Sequence, residues 1–124
     1  MKKLTVEQVI ALHEIMVEYS GGSYGVRDMG LLESALATPF STFGGFQCFP
    51  TIESKAARLA FGIINNHPFI DGNKRAGIHS MLAFLELNKI KLNCNDDELI
   101  KLGWGVAAGS INEEEILDFI VTHN

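Results

Sequence analysis

The apolar positions of this chain recur at helical spacing in several separate stretches. The first stretch follows Thr5, which with Gln8 three residues later predicts a capping box and a helix that continues to about Tyr19. Two longer apolar stripes predict helices over about residues 53–66 and 72–88. No stretch alternates convincingly between apolar and polar residues, so the pattern predicts an all-α fold.

Shorter segments add to this pattern. A short amphipathic helix is predicted to end before Pro39, because proline disfavours helical backbone at the preceding residue. Asn95 and Asn112 are each followed three residues later by a glutamate, which is typical of a helix start. The chain is therefore predicted to form about six helices in one compact bundle, a single domain over residues 1–124.

Residues 40–50 are rich in aromatic side chains and contain the neighbouring glycines Gly44 and Gly45. We expect this segment to form a loop or a short hairpin, and we expect two or three of its phenylalanines to join the core. The glycines also permit a flap over a functional site. The phenylalanines are Phe40, Phe43, Phe46 and Phe49.

Composition narrows the class of protein. The chain has 124 residues, 47% of them hydrophobic and 20% charged, which is typical of one globular domain. The net charge of −5 and the absence of a Lys/Arg cluster argue against direct nucleic-acid binding. No apolar run is long enough to cross a membrane and no signal peptide is recognisable, so a cytoplasmic protein with no membrane partner is expected. Cys48 and Cys94 form no metal or redox motif and are expected to be free thiols.

The segment from His67 to Arg75 carries the candidate chemistry, since it places a titratable ring, a carboxylate, a Gly-Asn turn and two cations in nine residues. The helical pattern makes it a short loop followed by a helix start. The first backbone N–H groups of a helix have no intrahelical acceptor, and with the helix dipole they form an anion site. A phosphate site is therefore predicted, although Gly72 and Asn73 taken alone are more often a simple turn.

Each side chain of this segment also has a structural reading. His67, with an ordinary pKa near 6.5, is a candidate general base, whereas a histidine between helices is more often structural. Asp71 could cap the next helix, but a carboxylate that faces phosphates is a natural Mg²⁺ ligand, which we favour. Arg75 and Lys74 lie in the first helical turn, where a cation needs an anionic partner. His79 lies one turn later and either contacts a nucleotide or fills a helix interface.

The segment resembles the signature of the Fic/Doc family, HPFx(D/E)GNxRxxR. The stretch over residues 21–28 (GGSYGVRD) and the sequence around Leu31–Leu36 and Phe84–Asn88 resemble the death-on-curing (Doc) branch of that family. The resemblance implies the compact helical Fic fold and the toxin of a bacterial toxin–antitoxin pair. With it we expect Arg27, Phe43 and Phe46 to lie on the side of the site that meets the target.

Two positions depart from the family pattern for AMP transfer: Lys74 replaces a glycine and Ile78 replaces a second arginine. The Doc branch shares this form, and there the γ-phosphate of ATP is understood to face the reaction centre. The resemblance thus implies phosphorylation of a protein hydroxyl, with elongation factor Tu as the family's known target and translation arrest as the result. The implied roles are general base for His67, Mg²⁺ ligand for Asp71, and ATP binding for Gly72, Asn73, Lys74, Arg75 and His79.

Two other functions stay open at this point. The protein would be an AMP transferase if Lys74 swings aside, or a non-catalytic paralogue that keeps the motif only to bind an antitoxin. Self-inhibited Fic proteins carry an (S/T)xxxE(G/N) helix, and the nearest match, residues 110–115, lacks the final residue and is read as helix capping. A separate antitoxin is therefore the expected partner.

Overall fold

The computed structural model describes residues 1–124 and contains six helices and one small hairpin. This architecture confirms the all-α prediction. The helices are α1 (Val6–Ser20), α2 (Met29–Ala37), α3 (Ile52–Asn66), α4 (Asn73–Leu87), α5 (Asp96–Ala107) and α6 (Glu113–Thr122). A 3₁₀ turn (Thr38–Phe40) and the antiparallel strands β1 (Thr42–Phe43) and β2 (Phe46–Gln47) connect α2 to α3.

Side-chain caps set most of the helix starts. The capping boxes predicted at Thr5, Asn95 and Asn112 are all present. A further box at Thr51, completed by the hydroxyl of Ser54, begins α3 just before the expected position. Ser54 replaces the glutamate or glutamine typical of this motif, which is why the pattern did not reveal it.

α3 lies at the centre of the molecule and packs against α2, α4, α5 and α6. Small residues bring its neighbours close: a Cβ built on Gly62 would lie 3.3 Å from Ala35 of α2. A Cβ on Gly77 of α4 would lie 3.1 Å from the backbone oxygen of Ala60 and still closer to Ile64. Such close packing fixes α3 and α4 relative to each other, and therefore fixes both ends of the loop that joins them.

The hairpin confirms the loop or short hairpin predicted for residues 40–50. Phe43 and Phe46 are paired across it and are 83% and 80% exposed. Phe40 is partly buried and packs edge-on against Phe84 of α4, with ring centroids 6.0 Å apart. Of the four phenylalanines only Phe40 packs against the core, so the expectation of two or three was wrong. The short hairpin turns Phe43 and Phe46 to solvent.

A buried lysine ties this hairpin to α3. Lys55 is 2% exposed, and its Nζ donates to Oε1 of Gln47 at 2.7 Å and to the backbone oxygen of Phe49. Burial, with a smaller contribution from the charge of Lys3, lowers the pKa of Lys55. No carboxylate pairs with this cation, so the two hairpin oxygens satisfy its hydrogen bonds.

No helix is both long and apolar enough to span a lipid bilayer. Both cysteines are free, as expected, and Cys48 is exposed. Burial, followed by the charges of Glu98 and Asp96, raises the pKa of Cys94. This shift disfavours the reactive thiolate form.

Candidate active site

The loop between α3 and α4 begins with a residue in an unfavourable backbone conformation. His67 has φ 50° and ψ 55°, the left-handed region, where a non-glycine residue costs about 1–3 kcal/mol. The guanidinium of Arg27 donates to the backbone oxygens of Asn66 at 2.9 Å and of His67 at 2.7 Å. These bonds satisfy the end of α3 and hold the strained turn. The imidazole of His67 is exposed and makes no hydrogen bond within the protein.

The segment that precedes α2 clamps the same loop along its length. The backbone N–H groups of Arg27 and Asp28 donate to the oxygen of Pro68 at 2.7 and 3.1 Å, and that of Ile70 donates to the oxygen of Gly25 at 3.1 Å. Gly25 has φ +114°, and a Cβ there would lie 3.0 Å from the Ile70 side chain. The GGSYGVRD stretch therefore acts as the scaffold of the motif loop.

Asp71 points its carboxylate at backbone N–H groups. Its Oδ2 accepts from the N–H of Ser23 at 3.2 Å and its Oδ1 from that of Gly72 at 2.9 Å. A Cβ on Gly22 would come within 2.7 Å of Oδ2, so only glycine fits there. The alternative role, capping of α4, is not seen: the N-cap is Gly72.

The donor set around Asp71 fits a Mg²⁺ ion that is shared with a substrate. The protein has no cluster of three or more His, Cys, Asp or Glu side chains able to hold a metal by themselves. Each oxygen of Asp71 accepts a single bond from the protein and retains a free lone pair. Mg²⁺ is usually held by one or two carboxylates together with phosphate oxygens. The exposed carboxylate of Asp71 can be the protein's ligand in such a site.

The N-terminus of α4 differs from that of every other helix. The other five carry a side-chain cap, whereas Gly72, in the left-handed conformation at φ 77°, supplies none. The N–H groups of Asn73, Lys74 and Arg75 donate to no acceptor within the protein. These free N–H groups and the positive end of the helix dipole are the features on which the predicted anion site depends.

The side chain of Asn73 has a task that sequence reasoning missed. Its Oδ1 accepts from the N–H of Phe69 at 2.9 Å, and its Nδ2 donates to the oxygen of Phe69 at 3.0 Å. Both ends of the amide are therefore used to close the loop. The backbone N–H of Asn73 is the group left for an anion.

Arg75 is a cation without a carboxylate partner. No acidic oxygen lies within 4.0 Å of its guanidinium, and its one hydrogen bond is a long one of 3.5 Å to the backbone oxygen of Gly21. Its Nη2 lies 3.3 Å from the position of a Cβ built on Gly72. The guanidinium thus borders the start of α4.

Beside this loop runs a groove of about 510 Å³ between α4 and α5. It is lined by Lys74, Arg75, Ile78, His79, Asp96, Leu99, Ile100, Gly103 and Trp104. Trp104, 63% exposed, has the Nζ of Lys74 4.5 Å from its ring centroid. The sequence analysis did not predict a role for Trp104. The only hint in the sequence is that Trp104 is the single tryptophan of the chain.

The predicted site residues therefore fall into adjoining parts. His67 and Asp71 belong to the loop, whereas Lys74, Arg75 and His79 line the groove.

The pKa of His79 is lowered, first by partial desolvation and then by the charge of Arg75, while the charge of Asp96 acts in the opposite direction. This shift favours the neutral imidazole of His79, in which one ring nitrogen can accept a hydrogen bond. Arg27, expected on the side of the site that meets the target, is exposed and donates to the end of α3, while Phe43 and Phe46 lie on the exposed hairpin.

Comparison with known proteins gives consistent matches. The sequence model of the Fic/DOC family matches residues 3–85. "Toxin Doc" of Mycolicibacterium smegmatis is 39% identical over 77 residues, which are 62% of this chain and 59% of that protein's length. "Protein kinase doc" of Escherichia phage P1 is 29% identical over 118 residues, which are 95% of this chain and 92% of that protein.

Proposed function

The chain belongs to the Fic/DOC family, in its Doc branch, and from this premise we propose that it is a toxin that uses ATP to phosphorylate a protein hydroxyl. Two relatives support this proposal by their names, one a toxin and one a protein kinase that aligns over 95% of the chain. The family resemblance favours elongation factor Tu as the target, and its modification would arrest translation.

One observation carries the proposal: an exposed, unbonded imidazole lies in the same short loop as an uncapped helix start. His67 would take the proton of the incoming hydroxyl while the oxygen of that hydroxyl forms a bond to the γ-phosphorus. The bond from that phosphorus to the bridging oxygen breaks, and ADP leaves with its electron pair. The N–H groups of α4 and the guanidinium of Arg75 would stabilise the charge on the phosphates.

Asp71 would hold the Mg²⁺ ion of the nucleotide. When bound, Mg²⁺ neutralises phosphate charge during the transfer. The protein's own part is to hold the carboxylate still, through the N–H groups of Ser23 and Gly72. Removing this carboxylate should weaken ATP binding only when Mg²⁺ is present.

The groove beside the loop would take the nucleoside part of ATP. Its volume lies within the range typical of small-ligand sites. Trp104 offers an exposed aromatic face for the base, while Lys74 and Arg75 mark the end nearest the phosphates. Neutral His79 and the carboxylate of Asp96 are available to bond the ribose hydroxyls.

AMP transfer is the second candidate, and one observation favours it. Lys74 extends over Trp104 towards α5, so its side chain is turned away in the manner that AMP transfer would require. Ile78 counts against it, because this residue is 6% exposed in the core and cannot bind a second phosphate.

Control would come from a separate antitoxin. The only match to an inhibitory helix contains Asn112 and Glu115, and both are used in the capping box of α6. The exposed rings of Phe43 and Phe46 and the unpaired Arg75 are the surfaces that such a partner would cover.

Label transfer tests the reaction itself. A bacterial extract is incubated with the protein and with ATP labelled at either the α- or the γ-phosphate. We expect γ-label to enter a protein of the size of elongation factor Tu, and the His67→Ala variant to transfer none. Transfer of α-label would instead establish AMP transfer, and no transfer by a folded protein that still binds its antitoxin would favour the non-catalytic alternative.

A further inference from the structure

His13, a residue of α1, lies buried beneath the motif loop at 1% exposure. Its ring stacks on that of Phe69, with centroids 4.0 Å apart and planes 7° apart. No local sequence pattern connects it with the motif, since 58 positions separate it from Asp71. A polar side chain this deeply buried normally has a hydrogen-bond partner, and the partner here belongs to the motif.

That partner is the backbone of Asp71. The Nε2 of His13 lies 2.7 Å from the Asp71 carbonyl oxygen. A carbonyl oxygen only accepts, so Nε2 must carry the proton and donate it. The ring also lies directly beneath the next residue, because a Cβ on Gly72 would be 3.6 Å from Nε2.

Asp71 is consequently held from two directions, its carbonyl by His13 and its carboxylate by the N–H of Ser23. α4 is fixed independently by its packing on α3. The backbone just before α4 is contacted by His13 at the Asp71 carbonyl, the one backbone oxygen of this stretch that a side chain of α1 holds. We propose that His13 is a positioning residue that sets the direction of the Asp71 carboxylate towards Mg²⁺. This inference rests on the proposed function.

Two substitutions separate the hydrogen bond from the stacking. His13→Phe keeps an aromatic ring against Phe69 but has no N–H for the Asp71 oxygen. His13→Gln keeps an N–H donor but loses the ring. If positioning depends on the hydrogen bond, the two variants should behave differently even when both are folded.

The experiment measures ATP binding by calorimetry, with Mg²⁺ titrated and again in EDTA, together with the melting temperature of each variant. Groups that orient a metal ligand typically contribute about ten- to a hundredfold to metal affinity. His13→Phe should therefore raise the Mg²⁺ concentration for half-maximal enhancement by about tenfold or more. Its ATP affinity in EDTA should be unchanged, and His13→Gln should restore most of the Mg²⁺ response.

A purely structural role would lower ATP affinity equally with and without Mg²⁺, and this result would overturn the proposal, as would a wild-type Mg²⁺ response in His13→Phe. If His13→Phe does not fold, His13→Gln decides, and a folded Gln variant with a weakened Mg²⁺ response contradicts the inference. Failure of the proposed function is separate: the wild-type protein would then transfer no γ-label, whatever the variants do.

Discussion

Only two non-glycine residues adopt positive φ, His67 at 50° and Lys89 at 67°, and they do so for different reasons. Lys89 follows α4 in a Schellman turn. Its backbone N–H donates to the backbone oxygen of Glu86, and the N–H of Ile90 donates to the backbone oxygen of Leu85. Glycine is the preferred residue at that position, and any other residue there lowers the stability of the fold slightly. His67 has the same backbone conformation, but its side chain is the candidate base. Strain retained at such a position is typical of a functional residue.

The two residues provide a matched test. Relief of left-handed strain by glycine should raise the free energy of unfolding by about 1 kcal/mol in both His67→Gly and Lys89→Gly. His67→Gly should lower the transfer rate by about 10²–10⁴-fold, whereas Lys89→Gly should not change it. Chemical denaturation and γ-label transfer measure the two effects. A His67→Gly variant with normal turnover would show that His67 is structural.

α5 and α6 are joined by an ion pair that also closes the C-terminal end of α6. The Nε2 of His123 lies 2.7 Å from Oε2 of Glu98, and its Nδ1 lies 2.7 Å from the oxygen of Phe119. Both oxygens accept, so both ring nitrogens donate and the ring is an imidazolium. The bonds to Phe119 and then Glu98 raise the pKa of His123. Bonding to Asn95 and then to His123 lowers the pKa of Glu98.

These shifts predict a pH window for the pair. The His123 contribution is complete below its ordinary pKa of about 6.5 and is lost as pH rises through the raised folded value. The Glu98 contribution is complete above about 4.3 and is lost as pH falls through the lowered folded value. His123→Ala should therefore lower the melting temperature more at about pH 5.5 than at about pH 8.5. An equal loss at both pH values would exclude the ion pair.

The groove between α4 and α5 gives a spectroscopic prediction, because Trp104 is the only tryptophan of the chain. Stacking of the base should change its fluorescence when ATP binds. Inorganic tripolyphosphate should compete for the α4 N-terminus yet leave the emission largely unchanged. Trp104→Leu should weaken ATP but not tripolyphosphate, measured by calorimetry. An identical response to both ligands would remove the base from this groove.

Features set by residues close together in the sequence could be predicted, whereas contacts between distant segments could not. Capping boxes are local, so the starts at Thr5, Asn95 and Asn112 could be predicted from the sequence. The motif from His67 to Arg75 is one continuous segment, so its chemical groups could be recognised from the sequence as well. The contacts of Arg27 with the end of α3 and of His13 with Asp71 join segments about 40 and 58 residues apart. Helical periodicity carries no information on which distant side chains meet, so those roles required the structure.

At the scale of the whole molecule, α1 and the segment before α2 hold the α3–α4 loop of the candidate site. Helices α4 and α5 add the groove beside that loop. Asn73 is bonded into the loop through both ends of its amide. The imidazole of His67 and the first N–H groups of α4 have no hydrogen-bond partner within the protein, and the guanidinium of Arg75 has only the long bond to Gly21. The unbonded groups are the ones that the proposed transfer needs. Residues 110–115 do not act as an inhibitory helix over them, since Asn112 and Glu115 of that stretch form the capping box of α6.

An uncovered site predicts toxicity. Induced expression of the chain alone in a bacterial host should arrest growth, and His67→Ala should relieve the arrest at equal protein level. Co-expression of a cognate antitoxin, expected from a neighbouring gene, should also restore growth. Normal growth during expression of folded wild-type protein, with no effect of the neighbouring gene, would refute the toxin assignment while leaving the fold intact.

The group left on the target decides the central claim. Elongation factor Tu is purified from cells after induction of the wild-type chain or of His67→Ala, and its intact mass is determined. We predict an increase equal to one phosphoryl group with the wild-type chain and none with His67→Ala. An increase equal to one adenylyl group, or an unmodified factor in growth-arrested cells, would contradict the proposed kinase reaction on this target.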